Sequence, residues 1–302
     1  MKRILLCTPK LAHPEYWKLF EQAFISLGYE VSFFNDDTDS LVWCSGWKVK
    51  QFDLFFSTVW PGMVSVPFNM IQKLAKKTVL WVTGGGYCGL SKDYQRYVAD
   101  FDNIFSNSKY WFDTCYLTKY RSKFKSMHLG YDNYGHSYLP SNYDISFVGT
   151  IYPPRLEYLR WFKGLPLHLW APRWDQWQNV FYDLDCTYHG CLDSKQMMQV
   201  FCQSKLVFNP IYKDALNMRL FECGFAGIPQ LCFRTQELQK HFIDEEDLLM
   251  VSSVKELRDK VFYYLNKADE LAQIGQNMKD KCQKYHLLSQ RLEDMLQMVG
   301  ER

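Results

Sequence analysis

A carboxylate and a guanidinium three positions apart at the start of one helix make a pair that can hold a phosphorylated, hydroxyl-bearing ligand. The stretch from Asn209 to Pro229 carries that pair as Arg219 and Glu222. A strand ends at Asn209, a loop follows, and a helix opens near Asn217 or Met218. A helix start presents unpaired backbone N–H groups and a partial positive charge, so it holds a diphosphate without a glycine-rich loop. Asn217 suits the cap. Arg219 lies in the first turn, where its fork of donors adds to the grip on phosphate oxygens. Glu222 lies a turn further on, where a carboxylate accepts both hydroxyls of a ribose. Gly227 and Pro229 then stop the helix. The same spacing also suits an ordinary surface ion pair between Arg219 and Glu222.

Parallel strands and crossover helices must position such a helix, and the sequence alternates accordingly. Apolar runs at Arg3 to Cys7, Val31 to Phe34, Leu54 to Thr58, Val79 to Val82 and Asn103 to Ser106 read as strands. Helices are expected over Tyr16 to Leu27 and Phe68 to Lys76. Between Gly130 and Tyr143 the composition turns to Gly, Tyr, Asn, Ser and Pro with no apolar period, which suits a linker. The alternation then restarts with strands at Ile145 to Val148, Leu167 to Trp170, Leu206 to Phe208 and Pro229 to Cys232, and a helix over Arg155 to Phe162. From Ser253 the pattern is helical, with Val254 to Asn266 followed by Lys267 to Met298 divided into two helices. These elements predict an α/β chain of two domains, residues 1–138 and 139–302, with the C-terminal helices packing back on the first.

The run Asn217, Arg219, Phe221 and Glu222, followed by Gly227 and Pro229, resembles the donor-site helix of GT-B glycosyltransferases, and the spore-maturation CgeB-like family in particular. Three further pieces agree in order: Asp144 to Thr150 followed by Arg155, the run Met197 to Asn209, and Val251 to Leu257. The resemblance covers about Leu129 to Leu292. It implies the GT-B fold, two Rossmann-like domains facing a cleft, with the C-terminal domain holding a nucleotide diphosphate sugar and the N-terminal one the acceptor. It also implies a donor site of Gly149, Thr150, Arg155, Trp170, Asn217, Met218, Arg219 and Glu222, in which Glu222 holds the ribose and Arg155 helps neutralise the leaving diphosphate. Retaining members place a second acid eight positions before the ribose glutamate. Asp214 stands there in place of the more usual glutamate, as a catalytic candidate that could equally cap a turn. The implied activity is transfer of a sugar, from a UDP-sugar in the favoured reading, with no cofactor required. The alternatives are a noncatalytic binding protein on the same fold and a nucleotide-sugar epimerase.

Spacing marks out no catalytic base in the N-terminal half, where His13, Asp36, Asp37 and Asp132 are the candidates and His13 is the one carried forward. Gly84, Gly85 and Gly86 follow a strand, as a cleft-lining loop or simply a tight turn. The segment Lys109 to Lys125 interleaves cations with aromatics, which suits a solvated helix or an anionic acceptor. The acceptor class is therefore open among glycan, lipid, protein and nucleic acid. A net charge of +2 gives no whole-molecule argument for wrapping nucleic acid or a membrane. No run approaches the roughly 18 apolar residues of a membrane-spanning helix, which leaves peripheral contact. The first residues look like a signal peptide only as far as Cys7 and read as a strand. Ten scattered cysteines then read as reduced thiols in a cytoplasmic protein. Cys186, His189 and Cys191 cluster, but zinc wants four ligands and no second pair stands nearby, so no metal is expected.

Overall fold

The computed structural model describes residues 1–7, 16–33, 51–58, 72–82, 101–107, 122–132, 135–140, 142–151, 153–172, 184–211 and 215–301. The chain forms two compact units, one of Met1–Asp132, Lys213–Met218 and His286–Arg302, the other of Asn133–Tyr212 and Arg219–Tyr285.

In the first unit the apolar runs become β1 (Arg3–Cys7), β2 (Glu30–Phe33), β3 (Phe52–Ser57), β4 (Ala75–Val82), β5 (Asn103–Ser106) and β6 (Phe124–Ser126). They form one parallel sheet in the order β2-β1-β3-β4-β5-β6. Sheets of this kind are covered on their faces, which is why the strands are almost continuously apolar. One face carries Leu54, Phe56, Trp81 and Phe105 against Phe20 and Phe24 of α1 (Tyr16–Ser26). The same core takes Leu288, Leu292, Met295 and Leu296 from the last helix, α8 (Leu288–Met298). Both ends of α8 are tied to this unit. Asp132 accepts from Leu288 N at 2.8 Å and Ser289 N at 2.9 Å. At the other end Lys77 donates to Val299 O at 2.6 Å and Lys125 to Met298 O at 2.8 Å, while Lys2 donates to Glu301 O. The main chain at Gly130 lies so close to α8 that a Cβ there would sit 2.4 Å from His286 O.

Two expectations change, one of them at the end of the segment Lys109 to Lys125, where Phe124 and Lys125 belong to strand β6 rather than to a solvated helix. The helix read over Phe68 to Lys76 is helical at residues 72–74 and then gives way to β4 at Ala75, four residues before the strand expected at Val79. Lys76 and Lys77 look like a helix surface in sequence. They are strand residues whose ammonium groups reach out, Lys76 to Asp53 at 2.7 Å and Lys77 to the end of α8.

The second unit contains β7 (Tyr143–Val148), β8 (Leu167–Trp170), β9 (Thr187–Tyr188), β10 (Ser204–Asn209), β11 (Gln230–Phe233) and β12 (Leu249–Val251). These are parallel in the order β12-β11-β10-β7-β8-β9. The helices are α2 (Pro153–Leu159), α3 (Ser194–Cys202), α4 (Met218–Ala226), α5 (Gln236–His241), α6 (Val254–Leu265) and α7 (Ala268–Tyr285). One face of the sheet packs Ile145, Phe147, Leu206 and Phe208 with Leu156 of α2 and Leu257 and Val261 of α6. The other packs Val148, Trp170 and Val207 with Phe201 of α3 and Cys223 and Ala226 of α4. Helix α4 stops as its sequence demands. Gly227 takes φ +75°, its N–H bonds Gly224 O at 3.0 Å, and Ile228 N bonds Cys223 O at 2.9 Å, the paired bonds of a Schellman end. Among the described residues no helix is long and apolar enough to cross a membrane.

Candidate functional site

In the second sheet the strand order reverses between β7 and β10. Ligands of open α/β sheets bind at such a reversal, beyond the carboxyl ends of the strands. Gly149 is the first residue past β7, its N–H bonded to Trp170 O at 2.9 Å and its φ at +156°. A Cβ added to Gly149 would lie 3.2 Å from Arg155 Nη1, 3.5 Å from Phe147 Cζ and 3.6 Å from Arg219 Nη2. Two guanidiniums carried by different helices therefore meet over one bare backbone position.

Each cation rests on an aromatic ring. Arg155, in α2, stands 5.9 Å from the Phe147 ring centre and donates Nη1 to Thr150 O at 2.8 Å. Arg219, in the first turn of α4, stands 5.1 Å from the Phe201 ring centre. Cation–π contact holds a guanidinium's plane while leaving its N–H edges for other acceptors. Among the described residues Arg219 has neither a hydrogen bond nor an ion pair, and its Nε is buried without an acceptor. Burial first, and then the like charge of Arg155, lower its pKa to about 10, so it stays a cation at neutral pH.

Glu222 follows one turn later on the same helix. Burial pushes its carboxyl up to about 7, with Arg219 pulling the other way. Arg219 and Glu222 keep some solvent access at their surfaces, yet protein crowds both enough to strip most of their water. The surface ion pair that their spacing also suits is not formed: among the described residues Glu222 makes no ion pair or hydrogen bond. Among the described residues the acid and the base are thus both left without a hydrogen-bond or ion-pair partner.

The other expected site residues are placed as follows. Asn217 directly precedes α4 and Met218 opens it, and both are partly buried. Thr150 contributes its carbonyl to Arg155. The Trp170 carbonyl holds Gly149, while its indole is buried and stacks on His189 at 4.4 Å and 13°. His13, Gly84, Gly85, Gly86 and Asp214 lie outside the described residues, as does most of the Lys109 to Lys125 segment. At that segment's described end, Lys123 bonds Phe101 O at 3.0 Å and Lys125 caps α8. Both oxygens of Asp132 are taken by α8, which removes it as a free base. His189 pairs with His168 at 2.9 Å, and among the described residues no three His, Cys, Asp or Glu side chains gather where a metal could bind. Sequence reasoning named neither platform ring, because a buried Phe carries no chemical signature of its own.

Residues 155–297 match the family model described as glycosyl transferase-like. No curated protein matches the sequence. Among solved structures, sucrose-phosphate synthase of Thermosynechococcus elongatus aligns over 99% of both chains at a TM-score of 0.67 and 12% identity. HepE of Anabaena, solved with UDP and glucose, aligns over 100% of both at 0.65 and 10%. A glycosyltransferase from Rickettsia africae aligns over 99% of this chain and 98% of its own at 0.61 and 10%. The likeness is one of fold: the chain has the α/β fold of GT-B glycosyltransferases, with its two parallel six-stranded sheets.

Proposed function

We propose that this protein transfers a sugar from a nucleotide diphosphate sugar, UDP-sugar in the favoured form, to an acceptor whose class is open. The observation that carries this reading is the approach of Arg155 and Arg219 around Gly149, with Arg219 lacking any anionic partner among the described residues. Breaking the bond between the anomeric carbon and the diphosphate oxygen leaves negative charge on the diphosphate. Two fixed guanidiniums and the N–H groups opening α4 stabilise that charge more than they stabilise the intact donor. Glu222, once ionised, accepts the ribose hydroxyls. HepE structures containing UDP and UDP-glucose support uracil as the base.

Asp214 and His13 are the groups assigned to the sugar and acceptor side, on the sequence alone. The kinship with the CgeB-like family, a hexosyl group, a cytoplasmic location and peripheral membrane contact belong to the same proposal. No cofactor or metal takes part in it. A panel of nucleotide sugars and free nucleotides tests it by melting temperature, since a ligand of the folded state raises that temperature by mass action. UDP or one UDP-sugar is expected to give a selective shift that Arg219→Ala and Glu222→Ala each reduce. Unchanged affinity in both variants would remove the donor site. Turnover of the donor without transfer would favour the epimerase, and binding without turnover the noncatalytic protein.

A further inference from the structure

Beneath the first turn of α4 runs a buried chain of side-chain amides. Asn209, the last residue of β10, and Gln230, the first of β11, are 0% and 1% exposed. Asn209 Nδ2 donates to Gln230 Oε1 at 3.0 Å, and Gln230 Nε2 donates to the carbonyl of Leu220 at 2.9 Å. Burying two amides under a helix costs free energy unless their hydrogen bonds are made, and an apolar pair of similar volume would fill the space without that cost. What the amides add is direction. Apolar packing alone lets a helix slide or roll by fractions of an ångström, whereas a hydrogen bond at 2.9 Å names one carbonyl and one distance.

That carbonyl is well placed to matter. Leu220 follows Arg219 directly and precedes Glu222 by two positions, so the roll of α4 about its axis at Leu220 sets where both charged groups point. Neither of those groups is fixed by a hydrogen bond of its own among the described residues. We infer that Gln230, oriented by Asn209, is a positioning residue that holds the first turn of α4 in register for the donor's diphosphate. This inference rests on the reading of α4 as the donor helix.

The test compares UDP with uridine, by titration calorimetry at a temperature where every variant is folded. In the wild type the ratio of the two affinities measures what the diphosphate adds. Gln230→Leu and Gln230→Met keep the volume and remove the donor, and the methionine variant serves if the leucine one does not fold. Both are expected to lose about tenfold in UDP affinity, the size expected when one buried hydrogen bond and its alignment are lost, and a smaller factor in uridine affinity, through the ribose that Glu222 holds. An unchanged UDP-to-uridine ratio overturns the inference, and so does an equal loss of both ligands, which is the mark of a purely structural role. Failure of the underlying reading looks different: wild-type protein that binds no UDP, or Arg219→Ala that binds it as well as the wild type.

Discussion

Two guanidiniums facing one glycine repel each other until something negative lies between them. Arg219 bears the cost twice, through lost hydration and through the charge of Arg155. Glu222 bears a related cost. Its carboxyl is raised to about 7 in the folded protein, against an ordinary value of 4.5. Between pH 4.5 and 7 the folded chain therefore holds a proton that the unfolded chain has released. The contribution of Glu222 to stability is fully present below that window and is lost as pH rises through it. The melting temperature of the ligand-free protein is expected to carry a downward component from pH 5 to pH 8 that Glu222→Gln removes. Identical pH profiles for wild type and variant would mean that Glu222 titrates in the ordinary range.

At the scale of elements, α4 is held against α7 by glycines. A Cβ on Gly275 would lie 2.2 Å from Gly227 O and 3.0 Å from Gly227 C, main-chain atoms that cannot turn aside. One on Gly224 would meet Cys282 Sγ at 2.6 Å and Met278 Cε at 3.1 Å, side-chain atoms that can rotate. Gly275→Ala is expected to cost about 2 kcal/mol or more in urea unfolding, and Gly224→Ala less. The reverse order would show that the main chain at Gly227 yields more readily than the Cys282 and Met278 side chains. The central strands were legible in the sequence because strands covered on both faces read as unbroken apolar runs, as at Leu54 to Phe56 and Leu206 to Phe208, whereas the short β6, β9 and β12 carry too few residues to be read that way. The start of β4 was not, because Lys76 and Lys77 owe their places to Asp53 and to the end of α8, both distant in sequence. Arg219 and Glu222 stood out because they fall on the positions of the donor-site helix that the sequence resembles, since their spacing alone suits an ordinary ion pair equally well. Phe147, Phe201 and Gln230 did not, since their roles come from what the fold lays beside them.

At the scale of the whole molecule, the chain returns at His286 to the unit in which it began. Helix α8 is integral to that unit. Leu288, Leu292, Met295, Leu296 and Val299 are all buried in the core that also holds β1, β3, β4 and α1. At about 2 kcal/mol for each buried side chain, these five contribute about 10 kcal/mol, comparable to the net stability of a typical domain. The ends of the helix add electrostatic support. The Asp132 carboxylate sits at its N-terminus, where the helix dipole is positive, and the ammonium groups of Lys2, Lys77 and Lys125 meet carbonyls at its C-terminus, where it is negative. A chain ending at Tyr285 is therefore expected to leave the first unit unfolded while the second, whose core among the described residues lies before that point, keeps its sheet. Amide hydrogen exchange resolves the two outcomes. Loss of protection confined to β1 and β3 to β5, with β7, β10 and β11 still protected, would establish α8 as core of the first unit. Protection retained in both sheets would reduce it to a surface helix whose contacts the unit can do without.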